Sequence, residues 1–142
     1  MRQEIRGLTL IRPWGTATAL HGKRIENRTK KFPLPVGTFI AIHNGNKWDA
    51  DGAQFIKGLT GITIDPIDDP AGCIIAIAQF SGMVTQSTDP WFFGPYGWRW
   101  SKIVPIQPVP CKGDLGLWKL NSATLKAVRD QYQEASKVRS EI

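Results

Sequence analysis

Two short, unbroken apolar runs constrain this chain more than any other feature. Residues 38–43 read Thr-Phe-Ile-Ala-Ile-His and residues 73–80 read Cys-Ile-Ile-Ala-Ile-Ala-Gln-Phe. Both are too short for a typical helix and rich in β-branched isoleucine, which suits strands. A strand with one wet face alternates apolar and polar residues. Neither run does; residues 38–43 are therefore expected to be buried on both faces, and residues 73–80 read as the clearest strand of the chain.

The rest of the chain supplies the strands and covers around that centre. Residues 7–11 (Gly-Leu-Thr-Leu-Ile) read as a first strand. Pro13 suits the first turn of a short helix over 13–21, and Gly22 its stop. Residues 23–32 are polar and basic, Pro33 and Pro35 mark a turn, and Asn44-Gly45-Asn46 reads as another. A helix is expected over 47–59, a loop over 61–72 and a long loop over 85–95. Strands follow over 96–106 and 115–120. Asn121 or Ser122 can cap a last helix to about residue 138, with Leu125, Val128, Tyr132 and Ala135 on one face. Strand spacing this irregular does not repeat a βαβ unit. It predicts one α+β domain over 1–142, a small mixed β-barrel or curled sheet with flanking helices.

The chain has 142 residues, enough to bury a core without staples. Cys73 and Cys111 have no Cys-x-x-Cys spacing and read as small buried hydrophobes, although Lys112 could lower the Cys111 thiol. With two histidines there is no metal-ligand set of the usual spacing, and no nucleotide-cofactor glycine motif is present, so no metal or cofactor is expected. Met1–Arg6 is too polar for a signal peptide and no run is long enough to cross a bilayer. A cytoplasmic location is therefore expected. The net charge of +6 favours polyanionic partners.

Three stretches can carry chemistry. In Gly22-Lys23-Arg24-Ile25-Glu26-Asn27-Arg28, extended backbone would put Arg24, Glu26 and Arg28 on one side and Lys23 and Ile25 on the other. A glutamate between arginines forms a pair that shapes a cleft, and Lys23 beside it suits phosphate contact or catalysis. A solvated, salt-bridged loop is the plain alternative. His43, ending the buried strand, suits a phosphate, a base edge or general-base work, and Lys47 follows it. His21 reads as a partner of a helix end. The third stretch, residues 89–98, holds Trp91, Phe92, Phe93, Tyr96 and Trp98 among glycines and prolines. So apolar a loop either packs under the domain or forms a stacking wall. Trp91 and Phe92 are expected to anchor it and Tyr96 to face a ligand.

Taken together, the chain resembles the ASCH domain, a branch of the PUA-like superfamily, over about residues 8–120. The resemblance rests on Leu8-Thr9-Leu10-Ile11-Arg12-Pro13-Trp14, on Gly22-Lys23-x-x-Glu26-x-Arg28, and on Phe39-Ile40-Ala41-Ile42-His43. It continues in Trp91-Phe92-Phe93-Gly94-Pro95-Tyr96-Gly97-Trp98 and closes with 110–118, Pro-Cys-Lys-Gly-Asp-Leu-Gly-Leu-Trp. It implies a small β-barrel with a cleft beside the first helix, and a link to RNA, DNA or nucleobases. Lys23, Glu26 and Arg28 would line that cleft, with Arg12 and Trp14 at its mouth and Lys47 facing it. Some relatives deacetylate N4-acetylcytidine through a Gly-x-Lys-x-x-Thr-x-Arg motif and a carboxylate from a later strand. Here Glu26 replaces the threonine, and residues 73–82 offer Gln79 and Ser81 but no acid. Glu26 at that point suits a general base on water, with Lys23 stabilising an oxyanion. Other relatives are described as ribonucleases.

Three functional readings follow. The first is a module that binds nucleic acid or a modified nucleoside through Arg12, Trp14, Arg28, His43, Lys47 and Tyr96. The second is a small hydrolase of RNA or of an N4-acylated cytidine, with Lys23 and Glu26 catalytic. The third is a protein-interaction domain using the aromatic loop. Oligomeric state is not legible. Lys23→Ala is expected to lower affinity while leaving the fold intact, as loss of an exposed charge does.

Overall fold

The computed structural model describes residues 4–137 and 142. The two apolar runs become the middle of the sheet. They form β3 (Phe39–Trp48) and β4 (Cys73–Val84), paired antiparallel with Ile40 opposite Ala78 and Ile42 opposite Ala76. Around them lie β1 (Arg6–Arg12), parallel to β3, and β5 (Tyr96–Pro110), antiparallel to β4. Two short strands finish the sheet, β2 (Ile25–Arg28) on β5 and β6 (Leu117–Lys119) on β1. The order is β2-β5-β4-β3-β1-β6.

Both faces of the central strands are buried, as the unbroken apolar run at 38–43 predicts for β3 and as holds for β4 too. Ile40 and Ile42 turn to a cluster with Leu8, Leu10, Phe80, Trp98 and Trp100. Phe39 and Ala41 turn to the opposite cluster, with Ile74 and Ile77. That second face is closed by α3 (Ser122–Ser136), capped by the Asn121 side chain accepting from Thr124 N at 2.8 Å. Val128 and Tyr132 are fully buried and Leu125 packs beside them, whereas Ala135 is exposed. The expected end of this helix, residue 138, lies outside the described residues. Two shorter helices, α1 (Trp14–Leu20) and α2 (Ala50–Thr60), pack over a third cluster with Ala17, Ile25, Ile56 and Trp91.

Two expectations change. The pairing is open, with β2 and β6 as its edges, so the barrel of the sequence reading is a six-stranded sheet that does not close. It curls far enough for Arg28, on edge strand β2, to donate from Nη2 to the Thr9 carbonyl on β1 at 3.2 Å. The turn expected at Asn44-Gly45-Asn46 is instead part of β3. Asn44 is fully buried there and donates to Thr16 Oγ1 and the Pro70 carbonyl, so tertiary bonds override its turn preference.

Candidate functional site

A cleft opens at the seam between β1 and β2, where β6 pairs with β1 only at Arg6, Gly7 and Leu8. Beyond that point Thr9, Leu10 and Ile11 form one wall of a cleft of about 530 Å³. Trp14 from α1 with Phe93 and Gly94 from the aromatic loop make an aromatic wall, and Lys23 with the β2 residues a polar floor.

The floor is an ion-paired triad. Lys23 precedes the strand, so it escapes the alternation that would have put it opposite Glu26. Its Nζ folds back to donate to the Ile25 carbonyl at 2.6 Å and to Glu26 Oε1 at 3.2 Å. The other carboxylate oxygen of Glu26 accepts from Arg28 Nε at 2.8 Å. The Lys23 and Glu26 side chains are only 3% and 10% exposed, and that of Arg28 is 28%. Buried ions persist when paired and hydrogen-bonded, as these are. Two cations against one carboxylate leave the floor a net charge of +1. The Lys23 ammonium stands 5.7 Å from the Trp14 ring centroid and the Arg28 guanidinium 5.7 Å from that of Trp98.

The aromatic wall is braced from behind. Trp14 Nε1 donates to Asp49 Oδ2 at 2.9 Å, and the other Asp49 oxygen caps α2 by accepting from Gly52 N. The Gly52 bond, then the Trp14 bond, hold the Asp49 carboxyl below its ordinary range. A Cβ on Gly52 would lie 2.7 Å from the Trp14 ring, so glycine is what lets the indole lie against the helix. Trp91 is buried, Phe92 half-buried and Phe93 58% exposed. Phe93 meets Trp14 edge-on at 6.4 Å and Phe55 at 5.1 Å.

Lys23, Glu26, Arg28 and Trp14 therefore share one cleft. The other singled-out residues lie elsewhere. Arg12 donates to the carbonyls of Pro66, Asp69 and Asn46 and so staples the 61–72 loop to β3. His43 is buried, its Nε2 donating to the Cys111 carbonyl at 2.9 Å and its Nδ1 3.1 Å from Thr9 Oγ1, with Trp118 edge-on beside it. The carbonyl can only accept, which places the proton on Nε2. Lys47 is exposed on β3 and is not among the residues lining the cleft. Tyr96 is half-buried at the start of β5, opposite Arg28, and packs on the core; the ring facing the cleft is Phe93.

Lys23 is also buried, against the expectation of an exposed charge. Asn27, Thr29 and the β1 segment also line the cleft, which their sequence does not announce. The brevity of the 115–120 strand was the available signal for the last, since a short partner leaves the far half of β1 uncovered. Burial raises the Cys111 thiol, with Cys73 adding to the rise, so Lys112 does not activate it. Among the described residues no group of three or more His, Cys, Asp or Glu is placed to hold a metal, and no helix is long and apolar enough to cross a membrane.

No family model matches this chain, and no curated protein matches it by sequence. Its fold does match solved structures. The ASCH protein of Zymomonas mobilis superposes with a TM-score of 0.58 at 11% identity, covering 88% of this chain and 93% of that one. Two mutant forms of the same Zymomonas mobilis protein give TM-scores of 0.56 and 0.53 at 13% and 14% identity, each covering 89% of this chain and 96% and 95% of theirs. Likeness at such identity is one of fold, and the fold is that of the ASCH domain.

Proposed function

We propose that this chain, with its ASCH domain fold, binds an unpaired nucleobase or modified nucleoside in the cleft between β1 and β2. The observation that carries the reading is the pairing of an aromatic wall, Trp14 and Phe93, with a polar floor of Lys23, Glu26 and Arg28. A flat ring packs on such a wall, and its polar edge meets the fixed donors below. A cleft of about 530 Å³ suits a small ligand rather than a duplex. The family resemblance read from the motifs points to the same class of partner.

Charge narrows the binding mode. Lys23 is buried and paired, and Glu26 offsets one of the two floor cations. The cleft is thus a poor cradle for phosphates. Backbone contact would fall to exposed lysines outside it, such as Lys30 and Lys31 beyond Thr29. Nucleoside affinity should then vary little with salt, while affinity for single-stranded RNA or DNA should fall as salt rises.

The test is a titration with the four ribonucleosides, N4-acetylcytidine, single-stranded RNA and DNA, and duplex DNA at about 50 and 200 mM salt. A preference for duplex, or affinity that depends on salt alone, would defeat the base-binding reading. The buried Lys23–Glu26 pair also favours a second reading, hydrolysis of an acylated cytidine or of RNA, with Glu26 activating water and Lys23 holding the oxyanion. Product formation from N4-acetylcytidine or RNA in the same mixtures separates catalysis from binding.

A further inference from the structure

We propose that Asn27 is the positioning residue of this cleft: its side-chain amide sets the wall that Phe93 and Gly94 present, without itself reading the ligand. The inference rests on the base-binding reading and adds to it how the aromatic wall is held. Asn27 sits on β2 between the two cleft residues Glu26 and Arg28, and strand alternation turns it toward the loop rather than the floor.

Its amide is engaged at both ends. Oδ1 accepts from the backbone N–H of Phe93 at 2.7 Å and of Gly94 at 3.0 Å. Nδ2 donates to the Trp91 carbonyl at 3.0 Å. Two donors meeting one atom and an acceptor meeting the other fix which end is oxygen. With both lone pairs of Oδ1 used, the oxygen has none left for a ligand. Asn27 thus lines the cleft but spends its polarity on main chain of residues 91–94.

The surroundings are fitted to this grip. Gly97 is paired opposite Asn27. A Cβ there would meet Ile25 Cδ1 at 2.6 Å and Phe92 Cδ1 at 2.9 Å, so the missing side chain makes room for Phe92. Asp89 holds the start of the loop, accepting from Trp91 N at 2.8 Å. Asn27 holds its far half, where Gly94 has φ of +76° and Phe93 stands exposed against Trp14. Without the amide, two N–H groups and a carbonyl lose their partner together, and the exposed ring loses its fixed place.

The test combines hydrogen exchange with binding. In Asn27→Ala, exchange at the Phe93 and Gly94 amides should accelerate at least about tenfold, and nucleoside affinity should fall about tenfold. Adding Phe93→Ala to that variant should then cost less than about twofold, because the ring has already lost its position. Asn27→Asp keeps the acceptor for both N–H groups but sets an oxygen against the Trp91 carbonyl. It should fall between wild type and Asn27→Ala in both readouts, and it serves if the alanine variant does not fold. Wild-type exchange at Phe93 and Gly94, or affinity losses that multiply in the double variant, would overturn the proposal. If wild-type protein binds none of the nucleosides, the base-binding reading fails and with it the ligand role given to Asn27, while exchange still decides whether Asn27 holds the loop.

Discussion

Replacing Glu26 by alanine should destabilise the protein more than replacing its lysine partner by methionine. Glu26 is the carboxylate shared by two cations, accepting from Lys23 at 3.2 Å and from Arg28 at 2.8 Å. Removing it leaves the Lys23 ammonium, on a side chain 3% exposed, with the Ile25 carbonyl as its remaining hydrogen-bond acceptor. An uncompensated buried charge of that kind costs about 3–5 kcal/mol. Lys23→Met keeps the apolar stem near Trp14 and removes a charge rather than stranding one. Glu26 still holds Arg28, so the cost should be nearer that of lost charged hydrogen bonds, about 1.5–3 kcal/mol. For a chain of this size the Glu26→Ala loss corresponds to a melting point lower by roughly 10–20 °C. Urea unfolding followed by tryptophan fluorescence measures both variants, and an unchanged m-value would show that the unfolded state is not the cause. If Lys23→Met costs as much as Glu26→Ala or more, the carboxylate is not the keystone and the ammonium's contacts with Ile25 and Trp14 dominate. The same burial makes Lys23→Ala a poor probe of binding alone.

Phe93→Ala should lower nucleoside affinity about tenfold, with little change in unfolding free energy because the ring is 58% exposed; calorimetry and urea unfolding check the two halves. Tyr96→Ala should do the reverse, costing about 1–3 kcal/mol of stability through lost packing while leaving affinity within about twofold. Burial raises the Asp69 carboxyl above its ordinary range, outweighing its bond from Thr16 and the charges of Arg12 and His21. Its stabilising effect is therefore full below the unfolded value of 3.8 and is lost as pH rises through the folded value. Asp69→Asn lacks this loss, so its stability relative to wild type should increase with pH over that interval. A difference independent of pH, in urea titrations from pH 3 to about 7, would contradict the assignment.

The fold was legible where one physical demand ruled a segment. The runs at 38–43 and 73–80 had to be central strands because each carries apolar groups on both faces, and each side meets a separate cluster. Asn121 as a helix cap was legible for the same reason: short polar side chains at a helix start have one good use. Asn44 was not legible because its turn preference is local, while its burial depends on Thr16 and Pro70, 28 and 26 residues away. The cleft divides similarly. Glu26 and Arg28 share a face of β2 by alternation alone. Lys23 joins them only because it precedes the strand, and whether Phe93 or Tyr96 lines the cleft depends on where β5 begins. Arg12 shows the limit of charge as a signal: a guanidinium has several donors, and here they reach three backbone carbonyls.

The cleft owes its position to two strands that stop early. β6 leaves the far half of β1 uncovered after Leu8, and β2 has only four residues on the other side of the seam. A longer β6 would cover that edge of β1 and fill the space that Thr9, Leu10 and Ile11 now line. Arg28 bridges the gap instead, giving Thr9's carbonyl a side-chain donor. Thr9 is held from its other end as well, its hydroxyl lying 3.2 Å from the donating Trp118 Nε1 and 3.1 Å from His43 Nδ1. The buried histidine thus supports the cleft through β1 without entering it. A side-chain bridge leaves room that a backbone ladder would occupy. The same guanidinium is held by Glu26, so the charge that fixes the open seam is also the charge a ligand would meet there.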